Sequence, residues 1–170
     1  MGDGRTNMSL DEWGSGELLG RQLDHARRDH PLVAGRWQQA TEAGQLILVQ
    51  PMLMEVLYSA KNGEAAREEL DDLRAAHDIV LIDDESWDLA LGAQVRLAQV
   101  GNGYQRRFSI TDLLTAALAH QLGLGILHYD ADFDQIRDDS DLDFRSVWAA
   151  KPPCLESVPD SDPGADAKAL

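Results

Sequence analysis

Three short apolar runs punctuate this chain: QLILVQ at 45–50, DIVLID at 78–83 and GILHY at 125–129. None shows the polar alternation of a strand with one wet face. QLILVQ therefore suits a strand buried on both sides, the habit of parallel sheets, and the other two runs are further candidate strands. Helical periodicity fills the intervals. Val33, Trp37 and Ala40 fall at i, i+4 and i+7 in a segment from Pro31 that Gly44 stops. Pro51 opens MLMEVLYSA, as proline does in a first turn. After a turn at Asn62-Gly63, Ala66, Leu70 and Leu73 line one face. Asp83 or Asp84 can cap a helix with the stripe Trp87, Leu91, Val95 and Ala98, which Gly101 ends. Ser109 or Thr111 can cap DLLTAALAHQL. FRSVWAA at 144–150 is a further short candidate strand. Strands alternating with helices predict an α/β fold, a parallel sheet covered on both faces.

The chain has 170 residues, enough for one domain with a proper core. A glycine-rich start at 1–20 is expected to be loose, 21–150 to be the folded domain, and the Pro-, Ser- and Asp-rich tail at 151–170 to be disordered. No stretch approaches the ~20 apolar residues of a membrane span. No basic segment followed by an apolar run opens the chain, so a secretory signal is not expected. Cys154 is the single cysteine and cannot close an intramolecular disulfide, which fits a cytoplasmic location.

The net charge is −15, and the segment 130–143 sets seven aspartates against Arg137 alone. Such a chain repels phosphates unless something inverts the sign locally, and a divalent metal does that. In an open parallel sheet, ligands bind beyond the carboxyl ends of the strands. Glu55 follows the 45–50 strand, Asp112 opens a helix where the dipole favours negative charge, and Asp130 and Asp132 follow the 125–129 strand. Four carboxylates brought together repel one another, and a hard cation with oxygen ligands, Mg²⁺ or Mn²⁺, relieves that cost. Carboxylate-held metal of this kind commonly serves phosphoryl chemistry.

MEVLYSA, SITDLLTAALA and LHYDADFDQI, in this order and spacing, resemble the acidic motifs of PIN-domain nucleases, especially the VapC-type toxins of bacterial toxin–antitoxin pairs. The resemblance spans roughly residues 30–148. It implies a PIN-like parallel sheet, RNA as substrate and phosphodiester hydrolysis by a metal-activated water. It also implies a cognate VapB-like antitoxin as partner, and a homodimer. It matches Glu55 to the acidic residue of the family's second motif, Asp112 to the third, and Asp130 and Asp132 to the pair of the fourth. Members usually begin with a hydrophobic strand ending in Asp followed by Ser or Thr. Here only Met8 and Leu10 precede Asp11, and Glu12-Trp13 follow it. Asp24 lies in the polar stretch LDHARRDH. The expectation is a degenerate or missing first strand, with Asp11 the weakest member of the ligand set. A catalytically impaired, antitoxin-binding PIN domain and an acidic-site metal phosphatase are the alternatives.

Other readings of the same residues are blander. Asp134, Asp138, Asp139, Asp141 and Asp143 read as a solvated acidic loop. An EF-hand starting at Asp130 would need Gly where Gln135 stands and Glu where Asp141 stands. Asp-Ala-Asp echoes nucleotide-sugar transferases, which need larger chains. His120 and His128 read as packed histidines, Trp37 and Trp87 as core or dimer-interface residues. Arg106 and Arg107 are either solvated or aimed at RNA phosphates.

Overall fold

The computed structural model describes residues 17–20 and 31–150. Its strands are β1 (Leu18–Gly20), β2 (Leu46–Val49), β3 (Asp78–Val80), β4 (Gly125–His128) and β5 (Arg145–Trp148). They form one sheet in the order β3-β2-β1-β4-β5, and every pairing is parallel. The helices are α1 (Pro31–Glu42), α2 (Gln50–Tyr58), α3 (Gly63–Ala76), α4 (Asp84–Gln99), α5 (Ile110–Leu122) and α6 (Ala131–Asp139). The expected α/β sheet flanked by helices is therefore present. Leu46–Val49 and Gly125–His128 are buried at every position, as unbroken apolar runs require.

The expected boundary after residue 20 falls inside the sheet. Leu18 and Leu19 are fully buried and pair with Leu46 and Ile47 on one side and Gly125 and Ile126 on the other. A first strand is thus present, at the centre, and burying each leucine stabilises the fold by about 1.5–3 kcal/mol. It ends in Gly20, not in an aspartate. A Cβ there would lie 2.6 Å from Cη2 of Trp37, so only glycine lets α1 approach this closely. Asp11, Asp24 and the acidic tail lie outside the described residues.

Two further expectations need correction. The stripe Trp87, Leu91 and Val95 faces outward, at 46%, 55% and 61% exposure, while Ser86, Ala90, Ala93 and Leu97 form the buried face of α4. Small residues win that face because α4 packs closely against α5 and must leave room for its apolar side chains. The acidic run after β4 is a helix, α6, not a loop. Asp130 caps it by accepting a hydrogen bond from the Asp132 amide, and Phe133 and Ile136, three apart, are fully buried beneath it. An EF-hand loop cannot occupy the same residues.

Candidate active site

All five strands point the same way, so their carboxyl ends share one edge. The order 3-2-1-4-5 places the topological switch beside β1, where the crevice of a doubly wound sheet opens. Asp130 stands two residues past the end of β4, at this crevice. Asp132 lies in the first turn of α6, with its side chain 18% exposed. Asp112 reaches the same edge from α5, which runs back against the sheet before β4. Ser109 caps α5: its Oγ accepts from the Asp112 amide at 3.0 Å and donates to Asp112 Oδ2 at 2.6 Å. That pair of bonds fixes a carboxylate that is only 5% exposed. Glu55 sits on α2 and, with Pro51, Met54, Tyr58 and Thr111, lines a shallow hollow of about 360 Å³. The hollow brings Glu55 to the residue just before Asp112.

Electrostatics link three of these groups. Burial raises the Asp132 carboxyl above its usual range, Arg107 draws it back down, and the charges of Asp130 and Asp112 push it up again. Asp132 therefore lies in the field of both other aspartates. Arg107 belongs to a 3₁₀ turn, Tyr104–Arg107, and its Nε donates to Asp132 Oδ1 at 2.8 Å. Arg106 is exposed on the same turn.

A second polar cluster lies behind Asp130. His128 is fully buried and leans on Phe133 and Trp148, with ring centroids 5.1 and 4.9 Å away. Its Nδ1 accepts from the Asp130 amide at 3.2 Å, and its Nε2 stands 2.6 Å from Ser146 Oγ. Ser146 donates to Asp134 Oδ1 at 2.5 Å, and Trp148 Nε1 donates to Asp134 Oδ2 at 2.8 Å. With the serine proton committed to Asp134, Nε2 must carry the histidine proton, so the ring is neutral. Burial agrees, holding His128 near 4 against an ordinary 6.5. The bonds from Ser146 and Trp148 hold Asp134 below the usual carboxylate range against the upward push of partial burial. Asp134 is thus a tie between α6 and β5, not a solvated charge. His128 packs as expected, while the half-buried His120 is satisfied by hydrogen bonding, its Nδ1 accepting from the Asp143 amide at 2.9 Å.

The donor chemistry fits a hard divalent cation. Asp112, Asp130 and Asp132 offer only carboxylate oxygens, and Asp132 feels the negative charge of the other two. The cage, however, is not closed. Among the described residues, no three or more His, Cys, Asp or Glu side chains stand together as a metal-holding group. Asp132 is engaged by Arg107 instead.

The PIN-domain family model matches residues 23–139. Ribonuclease VapC18 of Mycobacterium tuberculosis (strain ATCC 25618 / H37Rv) is 34% identical over 115 residues, 66% of this chain and 80% of that protein. Ribonuclease VapC51 of the same strain is 38% identical over 110 residues, 65% of this chain and 77% of that one. The chain belongs to the PIN-domain family, and within it to the VapC proteins. Two solved structures share the fold. The DNA-bound VapBC of Salmonella typhimurium aligns with a TM-score of 0.57 at 13% identity, over 79% of this chain and 99% of that chain. VapBC2 of Rickettsia felis, bound to a promoter DNA fragment, aligns at 0.54 and 15% identity, over 77% of this chain and 98% of that chain.

Proposed function

We propose that this VapC-family protein is a metal-dependent endoribonuclease and the toxin of a toxin–antitoxin pair. The single observation that carries the reading is that Asp130 and Asp132 follow β4 at the switch-point edge of the sheet, where Asp132 lies in the field of both Asp130 and Asp112. Family membership supports it: the relatives named above are ribonucleases. Asp112, Asp130 and Asp132 would hold Mg²⁺ or Mn²⁺, with Glu55 completing the set from α2. When bound, such an ion supplies Lewis-acid activation of water and neutralises charge on the phosphate.

The protein's own residues do the rest. The Ser109 cap holds Asp112 in one rotamer at the mouth of α5. The His128–Ser146–Asp134 chain holds the Asp130 amide, and hence the start of α6, at the end of β4. Arg106 and Arg107 offer guanidinium donors to the RNA backbone beside the carboxylates. A VapB-like antitoxin is the proposed partner, since the structural neighbours are VapBC assemblies. A homodimer and a cytoplasmic location belong to the same proposal.

One observation favours a second reading, an impaired PIN domain that captures antitoxin without cutting RNA: β1 ends in Gly20 and brings no carboxylate to the edge among its described residues. Cleavage of total RNA by the purified chain in Mg²⁺ or Mn²⁺, with and without EDTA, separates the two. Cleavage that EDTA abolishes is expected. Cleavage that survives EDTA would overturn the metal reading. No cleavage, with antitoxin still bound, would establish the impaired one.

A further inference from the structure

The contact between Arg107 and Asp132 is built by the fold. The turn that carries Arg107 is fastened at both ends. At one end the Tyr104 hydroxyl stands 2.7 Å from Asp139 Oδ2 and 3.0 Å from Gln135 Oε1, both on α6. At the other, Phe108 is 6% exposed in the core and meets the Tyr104 ring edge-on at 5.3 Å. The backbone enters the turn through Gly101, Asn102 and Gly103, all at positive φ, so its path is specified by residues that tolerate that conformation. Arg107 is thereby held along α6, with its guanidinium at Asp132 while the rest of the side chain stays half in water.

The charge at this point needs such a group. Asp132 lies in the field of Asp130 and Asp112, and removing its partner would leave that repulsion on Asp132 without a counter-charge. One guanidinium supplies a single positive charge and covers one Asp132 oxygen; a divalent ion supplies two charges and competes for the same carboxylate. The two cannot both saturate Asp132.

We infer that Arg107 is a built-in counterion of Asp132 that a divalent cation must displace. The inference deepens the metal-dependent reading and rests on it. It assigns Arg107 a positioning role with a sign opposite to that of a structural prop: Arg107 neutralises Asp132 and opposes metal binding.

The test is calorimetric titration of the full chain with Mn²⁺ alone, comparing wild type, Arg107→Ala, Asp132→Asn and the double variant. Competition for one carboxylate predicts that Arg107→Ala binds Mn²⁺ about two- to fivefold more tightly than wild type, the scale of one part-exposed ion pair. In the Asp132→Asn background the same substitution is expected to change nothing, because the contested group is gone. Arg107→Lys, which keeps the charge without the fork, is expected to fall between wild type and Arg107→Ala. Thermal melts without metal check that each variant is folded. Wild-type binding that Arg107→Ala leaves unchanged or weakens would overturn the inference alone. Failure of every variant to bind Mn²⁺ would overturn the metal reading and the inference with it.

Discussion

His128 shows how one residue decides the chemistry around it. Its neutral ring is required twice, as acceptor for the Asp130 amide and as donor to Ser146, and protonation would destroy the first role. Its folded pKa is depressed, to about 4 from 6.5. Above pH 6.5 both folded and unfolded chains hold it neutral, and it adds no pH dependence. As pH falls from 6.5 towards 4 the unfolded chain takes up a proton that the folded chain refuses, so stability drops; below 4 the effect levels off. Between pH 7 and pH 5 this residue alone is expected to lower unfolding free energy by about 2 kcal/mol. Urea denaturation at the two pH values checks it, with His128→Gln as the reference in which this share of the pH dependence disappears. A wild type and variant with the same pH dependence would contradict the buried neutral ring. The sequence pattern made His128 a packed histidine, since it sits in an apolar strand. It did not reveal Asp134 as the ring's distant anchor, because Ser146 and Trp148 join it only once β5 lies beside β4.

At the scale of elements, legibility followed burial. Leu46–Val49 and Gly125–His128 were readable because strands covered on both faces must be continuously apolar. Leu18–Gly20 was not, since three residues in a glycine-rich stretch carry too little pattern and owe their conformation to the strands on either side. The helix Ala131–Asp139 carried a signal that its charge obscured. Asp130 is a good cap, Phe133 and Ile136 are a helical pair, and Arg137 suits the last turn. On α4 the large apolar residues pointed to the wrong face. The structure's assignment has a direct check by denaturation. Leu97→Ala, in the fully buried row, is expected to cost about 2–4 kcal/mol, and Leu91→Ala, 55% exposed, below about 1 kcal/mol. The reverse order would mean that the stripe, not the small-residue face, is what the core covers.

At the scale of the whole molecule, a net charge of −15 has to be reconciled with the proposed RNA substrate, and the carboxyl edge of the sheet is where that would happen. Aspartates gather where the parallel strands end, and the arginines of the 3₁₀ turn stand beside them. Among the described residues no helix is long and apolar enough to cross a membrane. That Asp130 and Asp132 would follow β4 at the carboxyl edge was legible because α/β topology dictates which sequence positions meet there, even with no side chain in view. What topology could not convey was the pairing of Asp132 with Arg107, since a turn's docking onto a helix depends on Tyr104 and Phe108 contacts made at long range. The central claim is that these carboxylates carry the chemistry. Its most direct measurement is the RNA cleavage rate of Asp112→Asn against wild type in saturating Mn²⁺, with both proteins verified as folded by their melts. A loss on the order of 100-fold or more is expected, because the substitution removes a negative ligand while preserving the side chain's shape. Equal rates in the two proteins would contradict the claim.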